Sequence, residues 1–166
     1  MANIVIQVEP GTVVMTGLEF MTYANRYLEA SELLIKSKKK TDPWFDPIPY
    51  QLVCQSLELH LKSFIWLRKK YTREKIKTKY GHDIEKLWHQ AISEGLTKYC
   101  KPTDLRNKSI ALVGPYYKSR KFTYLDLSMT FTGIKKLRSN PWVTGTLLRL
   151  CKRLQKSLHK SIISAA

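Results

Sequence analysis

The chain is expected to fold as an all-α, antiparallel helix bundle. Apolar residues recur at helical spacing over four long stretches, and each stripe is wide enough to meet two neighbouring helices. Start and stop signals bracket the stretches. With 166 residues and 43% hydrophobic content, the chain has enough apolar material for one domain with a genuine core. No run of eighteen apolar residues occurs, so no spanning helix is expected. The N-terminus lacks the positive-then-apolar order of a signal peptide. A soluble, cytoplasmic protein is the resulting reading.

Residues 1–15 read as an extended arm, because Ile4, Ile6 and Val8 alternate with polar residues before Pro10-Gly11 breaks the pattern. The bundle domain then spans residues 16–166. Thr16-Gly-Leu-Glu19 is a capping box for the first helix, whose stripe runs Phe20, Met21, Ala24, Tyr27, Leu28, Ser31, Leu34, Ile35. Lys38 to Lys40 complement the dipole at its end. Thr41 to Pro49 is a stiff connection, with Asp46-Pro47 as cap and first helical residue of the second helix. That helix carries Tyr50, Val53, Cys54, Leu57, Leu61, Phe64 and Ile65 on one side and Leu52, Leu59 and Trp66 on another. It should therefore be central, with Glu58 and Lys62 as an i,i+4 pair on the remaining face.

Lys69 to Lys79 reads as a basic connection, ended by Gly81. A third helix begins near Asp83, with Ile84, Leu87, Trp88 and Ala91 inward and Gly95 at its end. Residues 100–133 are punctuated by Pro102, Gly114-Pro115 and Gly133, and read as an ordered excursion with short helical pieces. Asn140-Pro141 opens the last helix, whose stripe is Val143, Leu147, Leu150, Cys151, Leu154, Leu158 and Ile162. Cys54, Cys100 and Cys151 are too widely spaced for a Cys-x-x-Cys site, and buried free thiols in a reducing compartment are expected.

Charge is the most telling feature for function. The formal net charge is +16, and the last acidic residue is Asp126. Residues 61–166 hold twenty-four Lys and Arg against six Asp and Glu. Such a field concentrates polyanions, so RNA or another single-stranded nucleic acid is the expected partner, although a solvated basic face would have the same composition. Candidate contacts are Arg149, Lys152, Arg153, Lys156 and Lys160 on the last helix, and Lys118, Arg120 and Lys121. The latter three interleave with Tyr116, Tyr117, Phe122 and Tyr124, a mix that suits phosphate contact with base stacking and equally suits aromatic packing over the bundle's end. With seven glycines and no phosphate-cradling loop or His-Glu-x-x-His pattern, no cofactor or metal is expected.

Three segments together resemble the HEPN (higher eukaryotes and prokaryotes nucleotide-binding) family. Gln55-Ser-Leu-Glu58-Leu-His-Leu-Lys62 resembles its Gln-x-x-Glu-x-x-x-Lys helix, and Tyr80-Gly81-His82-Asp83-Ile84-Glu-Lys-Leu87 its His-Asp-Leu-x-x-Leu helix opening. Tyr116-Tyr117-Lys118-Ser119-Arg120-Lys121-Phe122 is similar to its Tyr-x-x-x-Arg-Tyr-Pro segment, without the Tyr-Pro. The resemblance covers roughly residues 16–163. It implies a four- or five-helix up-and-down bundle, often a homodimer. Many members are metal-independent ribonucleases of toxin–antitoxin and antiviral systems, built on Arg, four to six residues, then His. Others are non-catalytic nucleic-acid or nucleotide binders, or partners of small nucleotidyltransferases.

RNA cleavage needs a base near neutral pKa and a cation for the charged phosphorane. Arg153-x-x-x-x-x-His159 matches the family spacing, but residues six apart on a helix are turned about 240° from each other. Lys77-x-x-x-x-His82 matches with lysine for arginine, and His82 alternatively reads as a structural helix-start residue. Arg106-Asn107 begins the motif, but residues 108–117 contain no histidine. His60 and His89 read as ordinary surface or boundary residues. A largely non-catalytic binder is therefore the first reading, a ribonuclease using His159, Arg153 or His82 the second, and a nucleotidyltransferase's interaction subunit the third.

Overall fold

The computed structural model describes residues 17–37, 46–124, 136–137 and 139–165. They form an all-α bundle: α1 (Gly17–Ser37), α2 (Ile48–Lys69), α3 (Arg73–Tyr80), α4 (Ile84–Ser93), a 3-10 turn (Leu96–Lys98), α5 (Asp104–Lys118) and α6 (Trp142–Ile163). No strand occurs among the described residues, and no described helix is long and apolar enough to cross a membrane. The arm at residues 1–15, the Thr16 cap and Lys38 to Lys40 lie outside the described residues, as do Lys135 and Arg138.

Pairwise contacts fix the helix directions. Ser63 Oγ donates to the Gly17 carbonyl at 2.6 Å, and His60 meets Asn25, so α1 and α2 are antiparallel. Cys151 lies against the Val53 carbonyl and Lys70 reaches the Ala165 carbonyl, so α6 runs parallel to α2. Contacts from His82 to Glu58 and from Glu94 to Lys69 make α4 parallel to α2. Those from Asp83 to Lys118 and from Trp88 to Asn107 make α5 antiparallel to α4. The chain thus alternates up and down, with α3 as the short returning leg.

Helix α2 is the hub. It is buried at Val53 and Cys54 and continuously from Ser56 to Ile65. Asp46 Oδ1 accepts from the Ile48 N–H at 2.9 Å and so anchors the helix start. The seven stripe residues of α6 are all buried, as are Ile84, Leu87, Trp88 and Ala91 of α4. All three cysteines are buried free thiols. Burial, first of all, pushes the pKa of Cys54 well up and that of Cys151 up to about 12.

Several expectations need correction. The basic stretch from Lys69 to Lys79 is no mere connection, because Thr72 accepts from the Lys75 N–H and starts α3, which buries Ile76 and Tyr80. Residues 104–118 form one 15-residue helix capped by Thr103, and Gly114-Pro115 does not interrupt it. Pro115 sits in the last turn, where its missing N–H costs one bond and the helix ends at Lys118 anyway. Helix α4 has only 10 residues, shorter than the expected long helix. The α1 stripe leaves the core in its last turns, where Leu34 is exposed and Ile35 only half-buried. The Glu58–Lys62 pair and His60 are buried rather than surface features, because α2 has no solvent face at their level.

Candidate functional site

A buried carboxylate needs donors, and Glu58 has three. It is 1% exposed. Lys62 Nζ, one turn on, donates to Oε1 at 2.6 Å; His82 Nδ1 and the Tyr117 hydroxyl donate to Oε2 at 2.9 and 2.7 Å. Burial raises the Glu58 pKa, but the His82 hydrogen bond, the Lys62 charge and hydrogen bond, and the Tyr117 hydrogen bond outweigh it. The carboxyl therefore lies below its ordinary value. Burial and then the Glu58 charge and hydrogen bond push the Tyr117 phenol upward, so it stays protonated. The Tyr117 hydroxyl also lies 2.6 Å from the Gln55 side-chain amide. Its one proton thus faces two acceptors, ionised Glu58 and Gln55 Oε1.

His82 is the hinge between this buried cluster and solvent. It stands in the turn between α3 and α4, where Gly81 at φ +53° makes a bend that side-chain-bearing residues resist. The helix start itself belongs to Asp83, whose carboxylate accepts from the Lys86 N–H at 2.9 Å. The reading of His82 as a helix-start residue is thereby corrected. Its Nε2 is 3.2 Å from Arg120 Nη2. A guanidinium only donates, so in this contact Nε2 accepts and Nδ1 is the donor that faces Glu58. Arg120 adopts φ +57°, a left-handed conformation costing about 1 kcal/mol or more in a residue with a side chain.

These groups border a cavity of about 190 Å³, lined by Gln51, Gln55, His82, Tyr117, Arg120 and Thr123. Gln51 Oε1 is buried there without a hydrogen-bond partner among the described residues. Beside the cavity, Lys118 pairs with Asp83 at 2.7 Å. Burial raises the Asp83 pKa, but the Lys118 hydrogen bond and charge and the Lys86 N–H bring it below its usual value. Lys121 is exposed. Of the neighbouring aromatics, Tyr117 and Phe122 are buried, with Phe122 stacked on Tyr50 at 5.6 Å; only Tyr124 is freely exposed. Packing accounts for most of this segment.

The second candidate surface is α6. Helical geometry places Arg149, Lys152, Arg153, Lys156 and Lys160 within an arc of about 100°, and all five are exposed. Lys152 pairs with Glu32 at 3.0 Å, Arg149 Nη2 donates to Thr146 Oγ1, and Arg153 Nε donates to the Tyr99 carbonyl at 3.3 Å. Lys156 and Lys160 meet no carboxylate among the described residues. A groove of about 590 Å³ between α1 and α6 is lined by Asn25, Glu32, Lys152, Gln155, Lys156 and His159. Arg153 turns to Tyr99 while His159 turns to this groove, so one chain does not bring the two together. Arg106 donates to the Lys101 carbonyl, and Asn107 accepts from Trp88 Nε1 at 2.9 Å.

The site thus gathers Gln55, Glu58 and Lys62, then His82 and Asp83, then Tyr117, Lys118 and Arg120. Sequence reasoning missed that Glu58 organises it, and missed Gln51 and Thr123 altogether. A signal existed for Glu58: two apolar strips on α2 leave little room for a solvent face. Among the described residues no cluster of three or more His, Cys, Asp or Glu side chains comes together. No family model matches the chain, and no curated protein or solved structure matches it.

Proposed function

We propose that this is a HEPN-like helical protein that binds nucleic acid or a nucleotide through phosphate contacts, without catalysis. The observation that carries the reading is the cationic arc on α6. Five exposed Lys and Arg share about 100° of one helix, and only Lys152 is tied to a carboxylate among the described residues. Mutual repulsion along such an arc is relieved by a polyanion, whose counterions are released on binding. Fluorescence anisotropy with single-stranded RNA and DNA tests it. Affinity is expected to fall steeply between about 50 and 300 mM salt, and Lys156→Ala with Lys160→Ala should lower the logarithmic salt slope by about 1 to 2. Affinity that does not change over that range would overturn the reading.

One observation favours a second reading, a metal-independent ribonuclease. Glu58 holds His82 in a single tautomer with Nε2 toward the cavity, and Arg120 supplies a cation beside it. A base and a phosphorane-stabilising cation are then contributed by one chain. The Tyr117 hydroxyl is committed to Glu58, so no second proton donor for the leaving oxygen stands ready among the described lining residues. Binding therefore ranks first. RNA cleavage in EDTA that disappears in folded His82→Ala would reverse the order, whereas cleavage surviving in both His82→Ala and His159→Ala would remove these assignments.

A further inference from the structure

His82 borders a second cavity, of about 220 Å³, between α1, α2 and α3. Its inner wall is apolar and buried: Phe20, Leu59 and Ile76. Lys62 enters it at 7% exposure, and Arg73 and Lys77 stand exposed at its edge. No acidic residue lines it among the described residues. The carboxylate beneath, Glu58, is already engaged by Lys62, His82 and Tyr117.

The charge arrangement on α3 is unbalanced in a selective way. Lys75 and Lys79 lie over the Tyr71 ring at 4.3 and 5.5 Å. Arg73 and Lys77, one turn apart, face the cavity and meet no carboxylate among the described residues. Like charges at i,i+4 destabilise a helix, and an eight-residue helix has little stability of its own to spare. Among the described residues, three cations nevertheless converge on one small cavity against a single carboxylate.

We propose that this cavity binds a phosphomonoester dianion: the phosphorylated end of a nucleic-acid chain or a free nucleoside monophosphate. This deepens, and rests on, the reading of the protein as a binder of phosphate-bearing ligands. An excess of two positive charges matches a dianion. Arg73 offers a planar fork, and Lys62 and Lys77 offer point charges. The buried apolar wall closes the cavity, which suits a terminal group; an internal diester carries one charge and must leave on two sides. The volume is below that of pockets for drug-sized ligands, so it takes a phosphate and the carbon face of its sugar, with the base outside.

The test uses the full chain with two 3′-labelled single-stranded RNAs of one sequence, carrying a 5′-phosphate or a 5′-hydroxyl, and reads anisotropy. In parallel, thermal melting compares a nucleoside 5′-monophosphate with the nucleoside at matched ionic strength. The phosphorylated strand is expected to bind about tenfold more tightly. Arg73→Ala and Lys77→Ala should abolish that preference while leaving the 5′-hydroxyl strand's affinity unchanged. Equal affinity of the two strands, with no melting shift specific to the monophosphate, overturns the site and leaves the α6 reading standing if both strands bind with salt dependence. A preference that survives in both variants also overturns it. Should neither strand bind, the α6 reading fails and the melting arm decides the cavity alone. A shift lost in Lys77→Ala supports the site, and no shift overturns it.

Discussion

His60 should make the protein acid-labile well above the carboxylate range. Its ring is 0% exposed in the middle of α2. Burial lowers its pKa from 6.5 to about 4, against the smaller opposing effect of the Ser56 carbonyl, which accepts from Nδ1 at 2.9 Å. On the other side of the ring Nε2 lies 3.2 Å from Asn25 Oδ1, and the Ser56 hydroxyl stands 3.3 Å from Nδ1. Between the two pKa values the unfolded chain binds a proton that the folded chain refuses. Stability is therefore complete above about pH 6.5 and falls as the pH drops toward 4. At 1.36 kcal/mol per unit, the loss is about 3 kcal/mol, a large share of typical domain stability. Urea denaturation, followed by tryptophan fluorescence at several pH values from about 7.5 to 4, measures it. His60→Gln removes the titration and serves as the reference, since every other group titrates alike in both proteins. The wild type should lose about 3 kcal/mol more than the variant. Parallel stability profiles would mean that the ring accepts a proton in place, and the reasoning would fail.

Glu58→Gln leaves buried Lys62 without its counter-charge and gives His82 a worse acceptor, so it should cost about 3 to 5 kcal/mol in urea denaturation. Glu58→Gln combined with Lys62→Met should recover much of that loss, and a single-variant cost under about 1 kcal/mol would show that the cluster does not hold the helices. Because the Glu58 pKa is depressed, its contribution is present above the unfolded carboxylate value and disappears as the pH falls through the folded one; the acid limb should be shallower in the variant. Gly17→Ala would place a Cβ 2.5 Å from Trp66 Cε3 and should cost about 1 to 3 kcal/mol, visible as a lower melting temperature and altered near-UV dichroism. An unchanged melting temperature would refute that contact. Arg120→Gly relieves the left-handed backbone and should raise stability by about 1 kcal/mol, while Arg120→Ala should not; equal effects of the two would remove the claim of strain.

What the sequence made legible was apolar periodicity. Every stripe residue of α6 and the four inward residues of α4 are buried as their spacing requires. What it hid were elements whose stability is not carried by a stripe. Helix α3 buries only Ile76 and Tyr80 and is otherwise highly charged, so it reads as a linker until its Thr72 start and Gly81 end are set in space. Helix α5 hides behind Gly114-Pro115, yet Gly114 packs near Ile84 and Glu85, and Pro115 falls where the helix is about to stop. On α2, polar side chains at helical positions suggest a solvent face. Only the packing of α1, α4, α5 and α6 around that helix removes the solvent, and sequence spacing carries no record of it.

The candidate site shows the same division at the level of single atoms. Glu58 and Tyr117 are mutually satisfied and buried, and a ligand gains little by displacing such bonds; Lys62 spends one ammonium proton on Glu58 and keeps the others for the second cavity. These side chains act as a frame that orients His82. The groups with capacity to spare lie around that frame: the unpartnered Gln51 Oε1, the guanidinium of Arg120 and, on the other side of His82, Arg73 and Lys77. Residues of the three motif segments are therefore not equivalent. Substitutions inside the frame should unfold the bundle before they report on binding. Those at Arg73, Lys77, Lys156 and Lys160 leave the core untouched and change only what the surface offers to a phosphate, so a phosphate-binding role must stand or fall on them.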